Sequence, residues 1–490
     1  MSRPRTVLAV AAAALAVIVG AGAATAQPIP PDPVPTDAPQ YVGAPARPRP
    51  FWVPRAPQNP FMAANPGSNI HDDAYMTDTY RRTGPLGVDP SSTSTFQAGE
   101  CATLTFDQQG RLESVCVTPT TPYLKLFDPV TLEELASYAL PDREVGAGTF
   151  SDFSGGGYFY LDQKDRAVVP TTSRHLFVIR QTAGPGFELA RDYDLTGAVP
   201  SGDKIMSAIP DWQGRLFFVT QQGVVGAVDR RTGKVRALDL GEGIANSFAV
   251  DDSGGVYVVT TRAMYRIDAT DTGRPRVTWR TVYPNSGVQK PGQVSAGSGT
   301  TPTVMGKRWV AITDNADPMD VVVYRRGAHV RGKREVCRVP VFEKGASDTE
   351  NSLIAAGRAL VVTNNYGYQG PVQTSEGAVT TPGITRVDVD RDGHGCHVAW
   401  ENTEERSPSA VPKLSLANGL VYIVAKDPAG SSDVWYLAAL DFRTGKLAYK
   451  YRYGTGPGYN PNYAPVSIGR HGEAYVGVLG GLVRIQDNPG

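Results

Sequence analysis

One pattern is written twice between residues 211 and 273, and it constrains the chain more than any other feature. The first copy runs Asp211-Trp-Gln-Gly-Arg-Leu-Phe-Phe-Val-Thr, then Gly226-Ala-Val-Asp-Arg-Arg-Thr-Gly-Lys234. The second runs Asp252-Ser-Gly-Gly-Val-Tyr-Val-Val-Thr, then Met264-Tyr-Arg-Ile-Asp-Ala-Thr-Asp-Thr-Gly273. Each copy is a turn, a β-branched and aromatic strand, a gap, and a second strand ending in Asp and a Thr-Gly turn. A unit of this kind cannot bury its apolar face alone, so copies must stack. The turn glycine recurs at Gly110, Gly214, Gly254, Gly306, Gly357, Gly419 and Gly472, with an aspartate-bearing equivalent at Asp162 to Asp165. That makes eight units, spaced roughly 40 to 60 residues apart, as four-stranded propeller blades are. The expected class is all-β: a β-propeller of eight blades, seven being the alternative count. No long segment carries the period of an amphipathic helix.

The last unit has room for only three strands before the chain ends. A closed ring hides its edges, so an N-terminal strand should complete this blade. Its expected source lies within residues 74–96. Residues 61–98 are thus read as N-terminal segment and ring closure, and residues 99–490 as the propeller.

Ahead of them, residues 1–26 carry Arg3 and Arg5, an apolar run from Val7 to about Ala24, and an Ala24-Thr25-Ala26 site. These are the parts of a cleavable signal peptide, leaving Gln27 first. The apolar run is long enough to span a bilayer, so an uncleaved leader would be the one membrane anchor. Residues 27–60 hold 12 prolines in 34 positions. Proline fixes φ and lacks a donor, so this stretch reads as an extended linker outside any ladder. The expected location is secreted or in the cell envelope.

Charge adds an exclusion. Lys plus Arg equal Asp plus Glu at 48 each, and loss of the leader leaves a net charge of −2. A nucleic-acid partner would require a basic excess that the chain lacks overall.

Four cysteines suit an exported protein. Asp107-Gln-Gln-Gly110 reads as a two-residue hairpin turn, which pairs residues summing to 217 and sets Cys101 opposite Cys116. Directly opposed residues lie about 5.5 Å apart or less, within disulfide reach. Cys337 and Cys396 hold matching places in successive units, so they could link neighbouring blades. Four cysteines allow three connectivities. No Cys-x-x-Cys spacing supports zinc.

Ala227-Val-Asp-Arg-Arg-Thr-Gly-Lys234 and Ala439-Leu-Asp-Phe-Arg-Thr-Gly-Lys446 resemble the Ala-x-Asp-x-x-Thr-Gly-Lys signature of the pyrroloquinoline-quinone-like repeat. That resemblance implies an eight-bladed ring with a tryptophan docked between blades. Trp279 and Trp400 stand at the corresponding strand, while Ala237 and Tyr449 replace it elsewhere. It does not imply the quinone: alcohol dehydrogenases of that family carry two adjacent cysteines over the cofactor, and this chain has none adjacent. Glu350-Asn-Ser-Leu-Ile-Ala-Ala-Gly-Arg-Ala-Leu-Val-Val-Thr-Asn-Asn365 resembles, more loosely, a motif of gluconolactonase and paraoxonase-like propellers. In those, acidic and amide side chains hold a channel calcium.

Residues just before each innermost strand line one channel mouth. Here they are Asp152, Ser207, Asn246-Ser247, Thr301, Glu350-Asn351 and Tyr463. Converging oxygens suit calcium; equally, Asn, Ser and Asp at strand starts satisfy turn backbone. The candidate metal ligands are Asn69, Asn246, Glu350 and Asn351. In Asn69-Ile-His71-Asp72-Asp73, His71 reads as a general base or metal ligand. On an extended chain Asp73 would share its face, so His71 and Asp73 are the catalytic candidates; a locally hydrogen-bonded polar loop is the other reading. Asp388-Val-Asp-Arg-Asp-Gly-His-Gly395 resembles half a calcium loop but has Ala399 where a glutamate is needed, and reads as a hairpin turn. Asn364-Asn-Tyr-Gly-Tyr-Gln-Gly370 reads as a loop whose tyrosines could wall a ligand. No nucleophile elbow, phosphate loop or zinc helix occurs.

These features point to a binding or scaffold propeller with a central-channel site, its partner a small molecule or an envelope protein. A calcium-supported hydrolase of the lactonase or esterase type is the alternative.

Overall fold

The computed structural model describes residues 27–143, 152 and 154–489. The leader lies outside the described residues. Among the described residues no helix is long and apolar enough to cross a membrane.

Eight antiparallel sheets form the ring, each built from four consecutive strands except at the closure. Inner-to-second-strand turns set the repeat. Each of the seven turn glycines has positive φ, from 57° at Gly306 to 93° at Gly472, and Asp165 takes the same place in blade 2 at φ 53°. Only Gly, and less readily Asp or Asn, reaches this region cheaply. The repeated Asp staples the turn. Asp211 Oδ1 accepts from the Gln213 and Arg215 amides at 2.9 Å each, and Oδ2 from Arg215 Nε at 2.6 Å. Asp107 and Asp162 bind Arg111 and Arg166 in the same way. The duplicated stretch is therefore scaffold.

The N-terminal region contributes three strands: β1 (Tyr41–Gly43), β2 (Thr79–Tyr80) and β3 (Ser91–Phe96). β3 pairs with Gly481–Gln486 from Ser91↔Gln486 to Phe96↔Gly481, supplying the missing outer strand of blade 8. β2 lies parallel to the inner strand of blade 7, and β1 extends that blade outward along Leu447–Thr455.

β1 overturns the expectation that residues 27–60 stay out of any ladder. The stretch is strapped to the body. The Asp32, Arg49 and Phe51 amides donate to the carbonyls of Thr455, Asn418 and Leu416. Phe51 stacks on Phe442 at 4.8 Å, and buried Asn59 donates to the Pro210 carbonyl at 2.7 Å. The prolines cost nothing here, because only the few free amides between them face the ring.

Both disulfides form: Cys101–Cys116 within blade 1, and Cys337–Cys396 between the outer strands of blades 5 and 6. The register at the first differs from expectation. Phe106 faces Leu112, one step off, and a bulge between Cys101 and Leu104 restores the Cys101↔Cys116 pair. Trp400 Nε1 donates to the Phe442 carbonyl of blade 7, and Trp279 packs beside Tyr324 of blade 5. Both tryptophans therefore dock on the following blade.

Candidate functional site

The channel is filled by the chain's own residues 67–80. This segment turns inside the ring, with positive φ at Asp72, Met76 and Asp78. Its carbonyls satisfy inner-strand amides blade by blade. Gly67 accepts from Phe106, Ser68 from Leu161, Ala74 from Val250, Tyr75 from Val304, Thr77 from Ala355 and Asp78 from Leu414. Six of the eight blades are thus tied to one strand of chain. Buried backbone donors require partners, and the plug provides them.

Side chains fix the turn. Asn69 Oδ1 accepts from the His71 amide at 2.7 Å, and its Nδ2 donates to the Asp73 carbonyl at 3.1 Å. Asp73 accepts from the Tyr75 and Thr77 amides and from Thr77 Oγ1 at 2.6 Å. Asp73 is therefore engaged with its own turn and is not the partner of His71. The expectation of an extended chain fails here, because Asp72 is left-handed.

His71 is instead held by Asp78 and Ser352. Nδ1 lies 3.1 Å from Asp78 Oδ1, and Nε2 lies 3.2 Å from Ser352 Oγ. The connectivity is that of a Ser-His-Asp relay, yet all three residues are buried. Lys413 Nζ sits behind it, 2.5 Å from Asp78 Oδ1 and 3.1 Å from Asp72 Oδ2, and donates to the Ile70 carbonyl. Burial pulls the Lys413 ammonium down, but Asp72 and Asp78 together raise it. Burial pushes Asp72 up to about 7 and Asp73 to about 6.

Between plug and mouth remains a cavity of about 40 Å³, lined by His71, Ser352, Glu350, Tyr158, Glu100 and Tyr463 among others. A water needs roughly 10–15 Å³ on this measure, so the space suits a few waters. Glu350 Oε1 accepts from Asn246 Nδ2 at 3.0 Å and Oε2 from the Val294 amide at 3.1 Å. Tyr158 donates to Asn246 Oδ1 at 2.8 Å. Burial pushes both Glu350 and Glu100 up to about 8.

The structure therefore brings His71, Glu350 and Asn246 to one place. Asn69 belongs to the plug turn, and Asn351 Nδ2 donates to Thr363 Oγ1 and the Ala410 carbonyl. Calcium takes 6–8 oxygens at about 2.3–2.6 Å. The four candidate ligands present no such convergence, and both Glu350 oxygens already accept N–H groups. Among the described residues no group of three His, Cys, Asp or Glu could hold a metal. As placed, these side chains are engaged with protein partners: Asn69 with its own turn, Glu350 with Asn246 and Val294, and Asn351 with Thr363. In the 388–395 turn, the Asp390 amide donates to the Gly395 carbonyl, as a hairpin requires. At the rim Asp152 pairs with Lys204 at 2.6 Å, and Ser207 with Ser247 at 2.7 Å. Tyr368 forms no ligand wall: it is buried, and its hydroxyl lies 2.9 Å from Asn460 Oδ1 and 3.0 Å from Asn462 Oδ1.

Ser352, Asp78 and Lys413 escaped the sequence reading. A lysine opening the inner strand of blade 7, Lys413–Ser415, was the available signal, since a fully buried lysine requires a paired charge.

No protein-family model matches the chain. An uncharacterised protein of Archaeoglobus fulgidus is 29% identical over 320 residues, covering 59% of this chain. The chain spans 62% of that relative's length. Among solved structures, BamB from Moraxella catarrhalis aligns with TM-score 0.45 and 12% identity over 83% of this chain and 94% of its own. A streptogramin B lyase structure gives 0.41 and 10%, over 81% and 97%. A chain of the mitotic checkpoint complex gives 0.40 and 9%, over 67% and 87%. The eight-bladed assignment rests on this chain's own sheets.

Proposed function

We propose that the protein is an exported, non-catalytic binding or scaffold propeller of the PQQ-like repeat class. One observation carries the reading: residues 67–80 occupy the channel where propeller enzymes place substrate, leaving about 40 Å³. Drug-sized ligands need roughly 300–1,000 Å³. The two disulfides and the leader favour an oxidising compartment, and the repeat signature with its docked tryptophans favours the class. Partners then meet the outer surfaces of the ring, whose rigidity comes from the plug.

A calcium-supported hydrolase is the second reading, and the Ser352-His71-Asp78 chain is the observation in its favour. A panel of lactones and aryl esters, with and without calcium, decides between them. The expected result is no turnover by the full chain above that of the His71→Ala and Ser352→Ala variants. Turnover lost in both variants, with unchanged folding, overturns the proposal.

A further inference from the structure

The groove between blades 2 and 3 is a larger opening than the channel cavity, at about 470 Å³. That volume falls in the roughly 300–1,000 Å³ range of ligand pockets. Its lining is charged in a way the whole chain is not. Arg166, Arg191, Arg215, Arg230 and Arg231 line it, against the carboxylates of Asp162 and Asp229. Both carboxylates are occupied locally. Asp162 holds its own turn and Arg166. Asp229 accepts from the Arg231 and Thr232 amides. Arg215 is taken by Asp211.

Three guanidiniums are left. Arg230 reaches Asp162 only at 3.8 Å. Arg191 Nη2 donates to the Arg231 carbonyl at 3.2 Å, and neither Arg191 nor Arg231 forms an ion pair among the described residues. Two of the three are held by aromatic faces: Arg191 lies 4.7 Å over Tyr193, and Arg230 lies 5.2 Å over Phe61. A guanidinium gripped through its π face keeps in-plane N–H donors available for an oxyanion. Phe61 immediately follows the strap, so the N-terminal segment builds one wall. Tyr160 and Val178 add apolar surface. Across the strap, Arg82 and Arg470 line a second groove and donate to the carbonyls of Pro66 and Gln108 rather than to carboxylates.

We propose that the blade 2–3 groove binds a small organic anion, a carboxylate or phosphate group on an apolar or aromatic body. Arg191, Arg230 and Arg231 take the oxyanion, and half-buried Phe61 flanks the body. This site is independent of the channel and stands whether or not the ring is catalytic.

Calorimetric titration of the full chain with inorganic phosphate, phenyl phosphate and benzoate tests it. The expected result is one saturable site at which phenyl phosphate or benzoate binds about tenfold tighter than inorganic phosphate, since a buried ring adds at least that much. Whichever of the two aromatic probes binds tighter distinguishes a phosphate from a carboxylate ligand. The Arg191→Gln/Arg231→Gln double variant should lose about tenfold or more, because charge-assisted bonds to two guanidiniums are removed, with melting unchanged. Arg262→Gln, remote from the groove, should bind as the parent does. No saturable binding by any probe overturns the proposal. So does equal affinity in the double variant, or an equal loss in Arg262→Gln.

Discussion

Lys413 Nζ lies 2.5 Å from Asp78 Oδ1, both side chains fully buried, across 335 positions of sequence. This pair locks the channel plug to blade 7. Removing one partner of a buried pair leaves an uncompensated charge and costs about 3–5 kcal/mol. Lys413→Met should lower stability by about that amount, read from the chemical denaturation midpoint. Adding Asp78→Asn to it should recover part of the loss. A Lys413→Met variant as stable as the parent would show that the plug is not held there.

Stability should fall as pH rises. Burial lifts the carboxyl of Glu350 from 4.5 to about 8, and that of Asp72 from 3.8 to about 7. Groups raised in this direction bind a proton more tightly folded than unfolded. Their contribution is complete below their ordinary pKa and is lost as pH climbs through the folded value. The melting temperature should therefore decline between about pH 5 and pH 8. Glu350→Gln keeps an acceptor for Asn246 and should flatten that decline; an unchanged slope counts against burial of the ionised form.

The two disulfides should differ in worth. Cys101–Cys116 closes a separation of 15 residues and Cys337–Cys396 one of 59. Loop-closure entropy assigns them about 3 and about 4 kcal/mol. Paired Ser replacements at each, compared by denaturant midpoint, should rank Cys337–Cys396 as the costlier loss. The reverse order would mean that the second link is offset by packing between blades 5 and 6.

Deleting residues 27–49 should leave a ring that assembles but associates. Without β1 the strand Leu447–Thr455 becomes an open edge, and exposed edges pair with other chains. Size-exclusion chromatography should show dimers or larger species, with a lower melting temperature. A monomer of unchanged melting temperature would show that the strap is dispensable.

The ring was legible because its signals are local. Turn glycines, the alternating strands behind them and the short last unit each lie within one blade, so eight units and an N-terminal closure could be counted. Cys101 and Cys116 were paired correctly although the turn was mis-sized, because a bulge absorbed the extra residue. Trp279 and Trp400 each dock on the following blade.

The site was not legible in the same way. His71 stood out by composition, yet its partners Asp78 and Ser352 lie in a left-handed turn and on blade 6, the second 281 positions away. Asn351 sat beside Glu350 in sequence but faces Thr363 instead of the cavity. The strap of residues 27–60 looked free because proline content describes what a segment cannot donate, not which surface it meets.

The sequence by itself determined the repeating strand-and-turn unit, since backbone sterics and side-chain alternation act over a few residues. Only the tertiary structure decided what fills the channel, which charges are buried together and which guanidiniums lack a close carboxylate. Those depend on desolvation and on contacts made across the closed ring, which no local stretch encodes.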